Sequence, residues 1–238
     1  RIAEYLTGEE KEYIAEVTLG SETDTLDAEG EVIRECLVPK VNEIMFQKVF
    51  IKFLGDIVQI PPMYSAIKKD GKPLYKYARE GIDFDLPGRN VSIYDIQLLS
   101  LEEDKFRIKV CCSKGTYIRS LARDLAKEMG TCGHLTSLIR TKSGNFTAEK
   151  AVSLETLQEN GVEKYLISID KALPDFISIC LDEQKSQKAS LGNFVYLDED
   201  NYQELQDSEM VKIIAFDGSV IGIGTLESRV LKPKKVFV

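Results

Sequence analysis

Residues 11–20 alternate polar and apolar side chains, with Tyr13, Ala15, Val17 and Leu19 on one face. A period of two predicts a half-buried strand, with Tyr13 on its apolar side near its start. The alternation stops at 20–30, a polar stretch rich in turn formers that reads as a loop. Val41, Ile44, Met45, Val49 and Phe53 then recur at helical spacing and predict an amphipathic helix over 39–54. Gln59-Ile60-Pro61-Pro62 ends the structure after it, because proline has no backbone donor and restricts the residue before it. Strands are expected at 91–99 and 106–112, joined by the acidic turn Glu102-Glu103-Asp104.

The second of these strands runs directly into Cys112-Ser113-Lys114-Gly115-Thr116-Tyr117-Ile118-Arg119, and Ile118, Leu121, Ala122, Leu125 and Met129 then repeat at helical spacing. The pattern predicts strand, turn and helix, with Ser113 and Thr116 as N-caps and Gly115 as the turn residue. Tyr117 and Arg119 fall beside the apolar stripe in the first helical turn. A cation and a phenol held there suit the orientation of a carboxylate and a planar base, although an arginine capping a surface acid has the same pattern. After a turn at 130–134 the chain returns as a strand over 135–146, and the lone His134 beside that turn reads as structural.

Short helices and a connector fill 148–175, with Pro174-Asp175 as the boundary. Beyond it, a helix at 182–191 and strands at 210–216, 220–226 and 235–238, with Asp217-Gly218 as a hairpin turn, predict a small β-barrel-like module. The domains are therefore 1–175 and 176–238. The module's Arg229, Lys232, Lys234 and Lys235 offer either a second contact for a polyanion or a charged edge strand.

Composition narrows the reading. The 238 residues are 43% hydrophobic, enough for one or two domains with real cores. A net charge of −8 means that any nucleic acid must be held by a local patch against the overall field. Such a patch exists on paper at 61–90, where Lys68, Lys69, Lys72, Lys76, Arg79 and Arg89 outnumber Asp70, Glu80, Asp83 and Asp85 and interleave with tyrosines. Cations for phosphates and phenols for bases describe an RNA-gripping arm, and a charged surface hairpin fits the composition equally well. Asp24, Asp27 and Glu29 lack the alternate-residue spacing of a calcium loop, and no run of ~18 apolar residues is present to span a membrane. Five cysteines without a CxxC spacing, and one histidine, argue against a zinc site and against a disulfide framework and fit a reducing cytoplasm.

Four blocks in this order resemble the bacterial tRNA pseudouridine synthase B (TruB) family: Lys11-Glu12-Tyr13; Thr23-Asp24-Thr25-Leu26-Asp27-Ala28-Glu29-Gly30; Pro61-Pro62-Met63-Tyr64-Ser65-Ala66 through Tyr77-Ala78-Arg79; and Ser113-Lys114-Gly115-Thr116-Tyr117-Ile118-Arg119. The resemblance implies an α+β pseudouridine synthase fold, with a central, largely antiparallel sheet and flanking helices, followed by a small PUA-type RNA-binding domain. It implies isomerisation of the T-loop uridine (uridine-55) of tRNA without a metal or organic cofactor, by a monomer in the cytoplasm with no protein partner. An aspartate attacks a flipped-out nucleotide, and the detached base rotates and rejoins the ribose through C5. In that scheme Tyr13 stacks on the target base, Arg119 pairs with the catalytic aspartate, Asp27 is a carboxylate of the active-site loop, and Tyr117 and Leu138 complete the pocket. The insertion at 61–90, with Lys68 and Lys72, clamps the T-arm stem-loop.

One element of the family pattern is missing. The family's nucleophile lies in a Gly-Thr-Leu-Asp-Pro motif upstream of the counterpart of residues 1–6, and these 238 residues do not contain it. Thr25-Leu26-Asp27 imitates its centre but belongs to a different block. The expectation is a chain lacking its N-terminal segment, with the pocket but not the nucleophile, and inactive alone. The alternatives are a non-catalytic tRNA-binding or tRNA-folding protein on the same scaffold, a guide-RNA-dependent relative, and a mixed α/β protein that binds proteins.

Overall fold

The computed structural model describes residues 2–6, 10–198 and 209–237. The chain divides into two compact units, residues 8–151, and residues 152–238 together with 1–7. The segment 152–175, read from sequence as the end of the first domain, thus groups with the C-terminal residues. The short helix α1 (Ala3–Leu6) does so too.

In unit 8–151 the predicted strand is β1 (Glu10–Leu19), which leads into the hairpin β2 (Ser21–Thr23) and β3 (Val32–Glu35). There follow α2 (Glu43–Ile51), β4 (Gly55–Gln59), the two-residue strands β5 (Lys68–Lys69) and β6 (Lys72–Pro73), and α3 (Leu74–Arg79). Then come β7 (Arg89–Leu101), β8 (Lys105–Ser113), α4 (Ile118–Glu128), β9 (Gly133–Ser143), β10 (Phe146–Thr147) and a 3₁₀ turn, Ala148–Lys150. Six strands form an antiparallel sheet in the order β10-β9-β1-β8-β7-β4.

The alternation along β1 decides which face is buried. Ala15, Val17 and Leu19 pack with Phe106, Ile108, Val110 and Cys112 of β8. They also meet Ile118, Leu121, Ala122, Leu125 and Ala126 of α4, and Phe46, Val49 and Phe50 of α2. Alternate residues of the same strands are polar and pair across the sheet: Lys109 with Glu12 at 2.9 Å, and Lys142 with Glu10 at 2.6 Å. Those lysines hold both glutamates below the usual carboxylate range. Gly133 sits where α4 crosses the sheet: a Cβ there would lie 2.8 Å from Ala126 Cβ and 3.0 Å from the Thr18 carbonyl.

Two helix expectations need correction. The helix read as 39–54 is only Glu43–Ile51, because the Asn42 side chain caps it by accepting the Met45 amide at 2.9 Å and Gly55 takes φ +84 beyond its end. Its core residues are Phe46, Val49 and Phe50, while Ile44 is 63% exposed. Nor do Ser113 and Thr116 cap α4. The N-cap residue is Tyr117, whose amide donates to Gln59 Oε1 at 2.8 Å, and Ser113 Oγ accepts the Ser92 amide instead. A helix start needs outside acceptors for its free amides. Here a 2%-exposed side chain at the end of β4, 58 residues away in sequence, supplies one.

The second unit contains α5 (Leu154–Asn160), a 3₁₀ turn at Glu163–Tyr165, α6 (Ile169–Ala172), β11 (Ile177–Cys180), α7 (Glu183–Ser190), β12 (Val195–Tyr196), β13 (Met210–Ile214), β14 (Val220–Glu227) and β15 (Val230–Val236). Its sheet runs β11-β13-β14-β15-β12, with β11 and β13 parallel, around Ile179, Val211, Ile213, Leu226 and Leu231. The final strand begins at Val230 rather than 235, since Ser228 and Arg229 both take left-handed φ (46° and 69°) and close a tight hairpin. Residue 238, the expected end of that strand, lies outside the described residues. β12 flanks β15 only at Val230 and Leu231, so among the described residues Lys232, Lys234 and Lys235 lie on a stretch paired to β14 alone, which fits the charged-edge reading; Lys232 pairs with Glu227 and Lys235 with Glu4.

Replacing Gly133 with Ala is expected to lower stability by about 1–3 kcal/mol, as overpacking forces α4 and β1 apart. Gln59→Leu, which orphans the Tyr117 amide, is expected to cost about 1–3 kcal/mol. Urea unfolding of each variant beside the parent chain measures both.

Candidate active site

Arg119 stands in the first turn of α4 and is the hub of the site. Its Nη1 donates to Asp27 Oδ2 and to the Thr25 carbonyl, both at 3.0 Å, and its Nη2 donates to the Tyr64 carbonyl at 2.7 Å. Three oxygens from two distant segments therefore meet one guanidinium. Its planar fork suits this, since the donor directions are fixed. The two charged side chains are only 23% and 28% exposed, so solvent screens the pair less than it would a surface bridge.

The loop between β2 and β3 is shaped to present Asp27. Leu26 takes φ +63 and buries its side chain, and its carbonyl accepts the Leu135 amide at 3.1 Å, which fastens the loop to β9. Thr23 Oγ1 donates to the Asp27 carbonyl at 2.7 Å. Asp27 Oδ1 accepts Thr25 Oγ1 at 2.6 Å and the Glu29 amide at 3.2 Å. Both carboxylate oxygens are thus engaged. Across the loop, Glu31 N donates to Asp24 Oδ1 at 2.9 Å and Asp24 N to the Glu31 carbonyl at 3.1 Å.

Among the residues singled out from sequence, Arg119 and Asp27 are in direct contact. Tyr13 and Leu138 lie on the neighbouring strands β1 and β9, where Tyr13 faces Arg140 and Ala15 faces Leu138 in register. Opposed residues share a face of the sheet. Leu138 is 43% exposed, and burial pushes the Tyr13 phenol above its ordinary range, with Arg140 working in the other direction. Tyr117 contributes the capped amide and is partly buried.

Lys68 and Lys72 are on the arm and not in this cluster. Lys72 pairs with Glu80 and sits 4.4 Å from the Tyr77 ring centroid, Lys69 lies 3.6 Å over Phe84, and Arg79 lies 5.5 Å from Tyr75. The interleaving of cations and aromatic rings in this segment therefore also packs the arm on itself.

Several site residues escaped the sequence reading. The Ile60 carbonyl accepts Ser120 Oγ at 2.8 Å and Arg123 Nη2 at 3.2 Å, so α4 is stitched to the strand end before the prolines by side chains alone. Tyr64 matters through its carbonyl, and also through its phenol, which burial and a hydrogen bond to Asp24 push above its ordinary range. The available signal was Gln59-Ile60 beside Pro61-Pro62: a prolyl stretch cannot offer amides to a sheet, so its neighbours' polar groups turn to other partners.

The cysteine expectation is corrected at one pair. Cys36 and Cys132, 96 residues apart, are joined as a disulfide with Cα atoms 5.7 Å apart. Sequence spacing hid this, because Gly20 brings them together: its amide donates to the Cys132 carbonyl and its carbonyl accepts the Cys36 amide, both at 2.8 Å. Burial pushes the Cys111 and Cys112 thiols up to about 11, which removes them as nucleophiles near neutral pH. His134 is structural: its Nδ1 lies 2.9 Å from the Ser21 carbonyl, which only accepts, so that nitrogen carries the hydrogen.

Residues 1–118 match the TruB family pseudouridylate synthase (N terminal domain), and residues 119–176 match the tRNA pseudouridylate synthase B C-terminal domain. The chain is 44% identical over 225 residues to a protein of Francisella philomiragia subsp. philomiragia named tRNA pseudouridine synthase B, covering 91% of this chain and 74% of that one. It is 46% identical over 199 residues to a protein of the same name from Francisella tularensis subsp. tularensis, covering 82% and 66%. Among solved structures, a crystal structure of a Cbf5-Nop10-Gar1 complex aligns with a TM-score of 0.69 at 21% identity, over all of this chain and 69% of that one. An H/ACA RNP bound to a substrate RNA containing 2′-deoxyuridine aligns at 0.68 and 18%, with the same coverage, so these two share the fold. Asp27 falls in the first family region and Arg119 in the second, so their ion pair joins the two. The chain belongs to the TruB family of pseudouridylate synthases, which are isomerases.

Proposed function

We propose that this chain isomerises the T-loop uridine of tRNA, uridine-55, to pseudouridine, and that Arg119 is the residue on which turnover depends. The observation that carries the reading is the Arg119 fork, anchored by Asp27 and two carbonyls at the start of α4. Three of its five N–H groups are used among the described residues. The remaining donors suit a second carboxylate, and that carboxylate is the nucleophile in this reading. Asp27 is not, since both of its oxygens already accept hydrogen bonds. It acts as the counter-charge that aims the guanidinium. The nucleophile belongs to a Gly-Thr-Leu-Asp-Pro motif that does not occur among the 238 residues.

In the same reading Tyr13 stacks on the extruded base, with Leu138 and Tyr117 closing the pocket. Extrusion is required because the reacting carbon is inaccessible in a stacked loop. The arm at 61–90, with exposed Lys68 and partly exposed Lys72, grips the T-arm backbone, and the C-terminal unit gives a second RNA contact. No metal or organic cofactor enters the scheme, and the chain works as a cytoplasmic monomer.

The test is tritium release from a T-arm hairpin carrying C5-tritiated uridine, because C5 loses its hydrogen when it becomes the glycosidic carbon. The expected outcome, in protein that carries the motif, is that Arg119→Ala lowers release by about 10²–10³-fold or more. Hairpin affinity should stay within a few-fold of the parent. Unchanged release would remove Arg119 from the reaction, and release by these 238 residues alone would overturn the assignment of the nucleophile. Failure to bind the hairpin at low salt would favour the protein-binding alternative.

A further inference from the structure

We propose that Cys36 and Cys132 form a reversible thiol–disulfide exchange site whose oxidised form clamps the Asp27 loop beside Arg119. Nothing in the reaction uses these cysteines, and their placement is what argues for a role. The loop has two feet. Its inner foot is fixed by the Leu135 amide on the Leu26 carbonyl and by the Arg119 contacts. Its outer foot is β3, and every residue of β3 is exposed. Val32 is 56% and Ile33 64% exposed, and Leu37 just beyond is 94% exposed. Apolar burial therefore does not hold the outer strand. What holds it is a short ladder to β2, a cross-strand pair between Arg34 and Glu22 at 4.0 Å, the hydrogen bond from the Cys36 amide to Gly20, and the covalent bond from Cys36 to the turn before β9.

Strands so exposed open locally at low cost. Opening from the Cys36 end unzips the Glu35–Ser21, Arg34–Glu22 and Val32–Thr23 pairs of the ladder, and then reaches the Glu31–Asp24 hydrogen bonds that close the loop and those on Asp27 itself. With the disulfide formed, this opening is blocked at its origin. With the disulfide reduced, the outer strand keeps only non-covalent ties: its ladder to β2, the Arg34–Glu22 pair and the Cys36–Gly20 hydrogen bond.

The site is also reachable. Cys132 is 3% exposed, but Cys36 is half-buried, and both border an open cleft of about 740 Å³ lined by the cations Arg34, Arg123 and Lys127 and the carboxylates Glu22, Glu35 and Asp124. Cys111, half-buried, and Cys112, buried, have thiols pushed up to about 11 and do not compete.

The chemistry balances with a small-molecule disulfide such as oxidised glutathione. The Cys36 thiolate attacks one glutathione sulfur, breaking its S–S bond and expelling a glutathione thiolate. The Cys132 thiolate then attacks the Cys36 sulfur of the mixed disulfide and expels the second. The protein loses two electrons and two protons, and two glutathiones are produced.

The experiment equilibrates the full chain across ratios of reduced to oxidised glutathione and traps it with N-ethylmaleimide. Peptide mass then reports the Cys36–Cys132 linkage, and amide hydrogen exchange is followed over 24–36. The expected result is that linkage titrates within the range of ratios. Full reduction should raise exchange at Leu26, Glu29, Glu31 and Cys36 about tenfold or more, with the β1 amides unchanged. The Cys36→Ser/Cys132→Ser variant should show the loose loop at every ratio, and Cys180→Ser should behave as the parent. Linkage absent at every ratio, linkage that persists in excess dithiothreitol, or reduction without a change in exchange would each overturn the proposal. Should the double variant fail to fold, the parent chain in dithiothreitol supplies the reduced state. The readouts are thiols and amides of the chain itself, so their failure is separate from failure of the assigned reaction.

Discussion

The guanidinium of Arg119 is the point at which the first unit's long-range order is fixed. A cation only partly open to water needs its charge answered and its donors used, or it costs more than it contributes. Here the partners are a carboxylate and a carbonyl from one loop and a carbonyl from the segment that opens the arm. Residues 92 and 55 positions away along the chain are thereby set against one helical turn. Because the fork is planar, it fixes direction as well as distance. A lysine with the same charge would lack that geometry.

The sheet prepares that turn. Glu10 opposes Ser113 and Gln59 opposes Arg89, so the end of β8, the start of β1 and the end of β4 reach the same end of the sheet. From there β8 passes into α4 through Gly115 at φ +87, while β4 passes into a prolyl segment whose carbonyls have no sheet partner. Each supplies what the other lacks. The helix has free amides and nearby side-chain donors, and the strand end offers Gln59 Oε1 and the Ile60 carbonyl. Apolar packing of Ile118, Leu121 and Leu125 seats α4 on the sheet, and hydrogen-bond satisfaction fixes the first turn on which Arg119 stands.

What was legible in the sequence follows from the same division. Period-two and helical spacing are local signals, and β1, β7, β8 and α4 were readable from them because a single buried face enforces each pattern. The family resemblance singles out both Arg119 and Asp27, but it pairs Arg119 with the catalytic aspartate and does not imply the Arg119–Asp27 contact. The Gln59 cap, the Ser120 and Arg123 contacts to Ile60, and the Cys36–Cys132 bond depend on which strand ends meet, and no local pattern encodes that. The hairpin at Ser228-Arg229 was missed for a different reason: neither residue is a glycine or asparagine, so the left-handed turn carried no compositional mark. Apolar spacing alone overruns α2, because it does not register Asn42, whose side chain caps the helix start.

The composition of the arm packs it on itself and, in the proposed function, would also serve RNA. In the unbound chain Lys69 rests on Phe84, and Lys72 rests on Tyr77 and pairs with Glu80, so part of the positive charge is answered internally. Such an exposed pair is worth about 0–1 kcal/mol, and a phosphate competes for its lysine at little cost. The rings meanwhile keep the lysine stems extended over a defined surface, which lowers the entropy lost when an anion arrives. With the whole chain at −8, attraction to a polyanion is confined to this kind of local, preorganised charge. If the arm grips RNA as proposed, recognition would be set by shape and spacing more than by total charge.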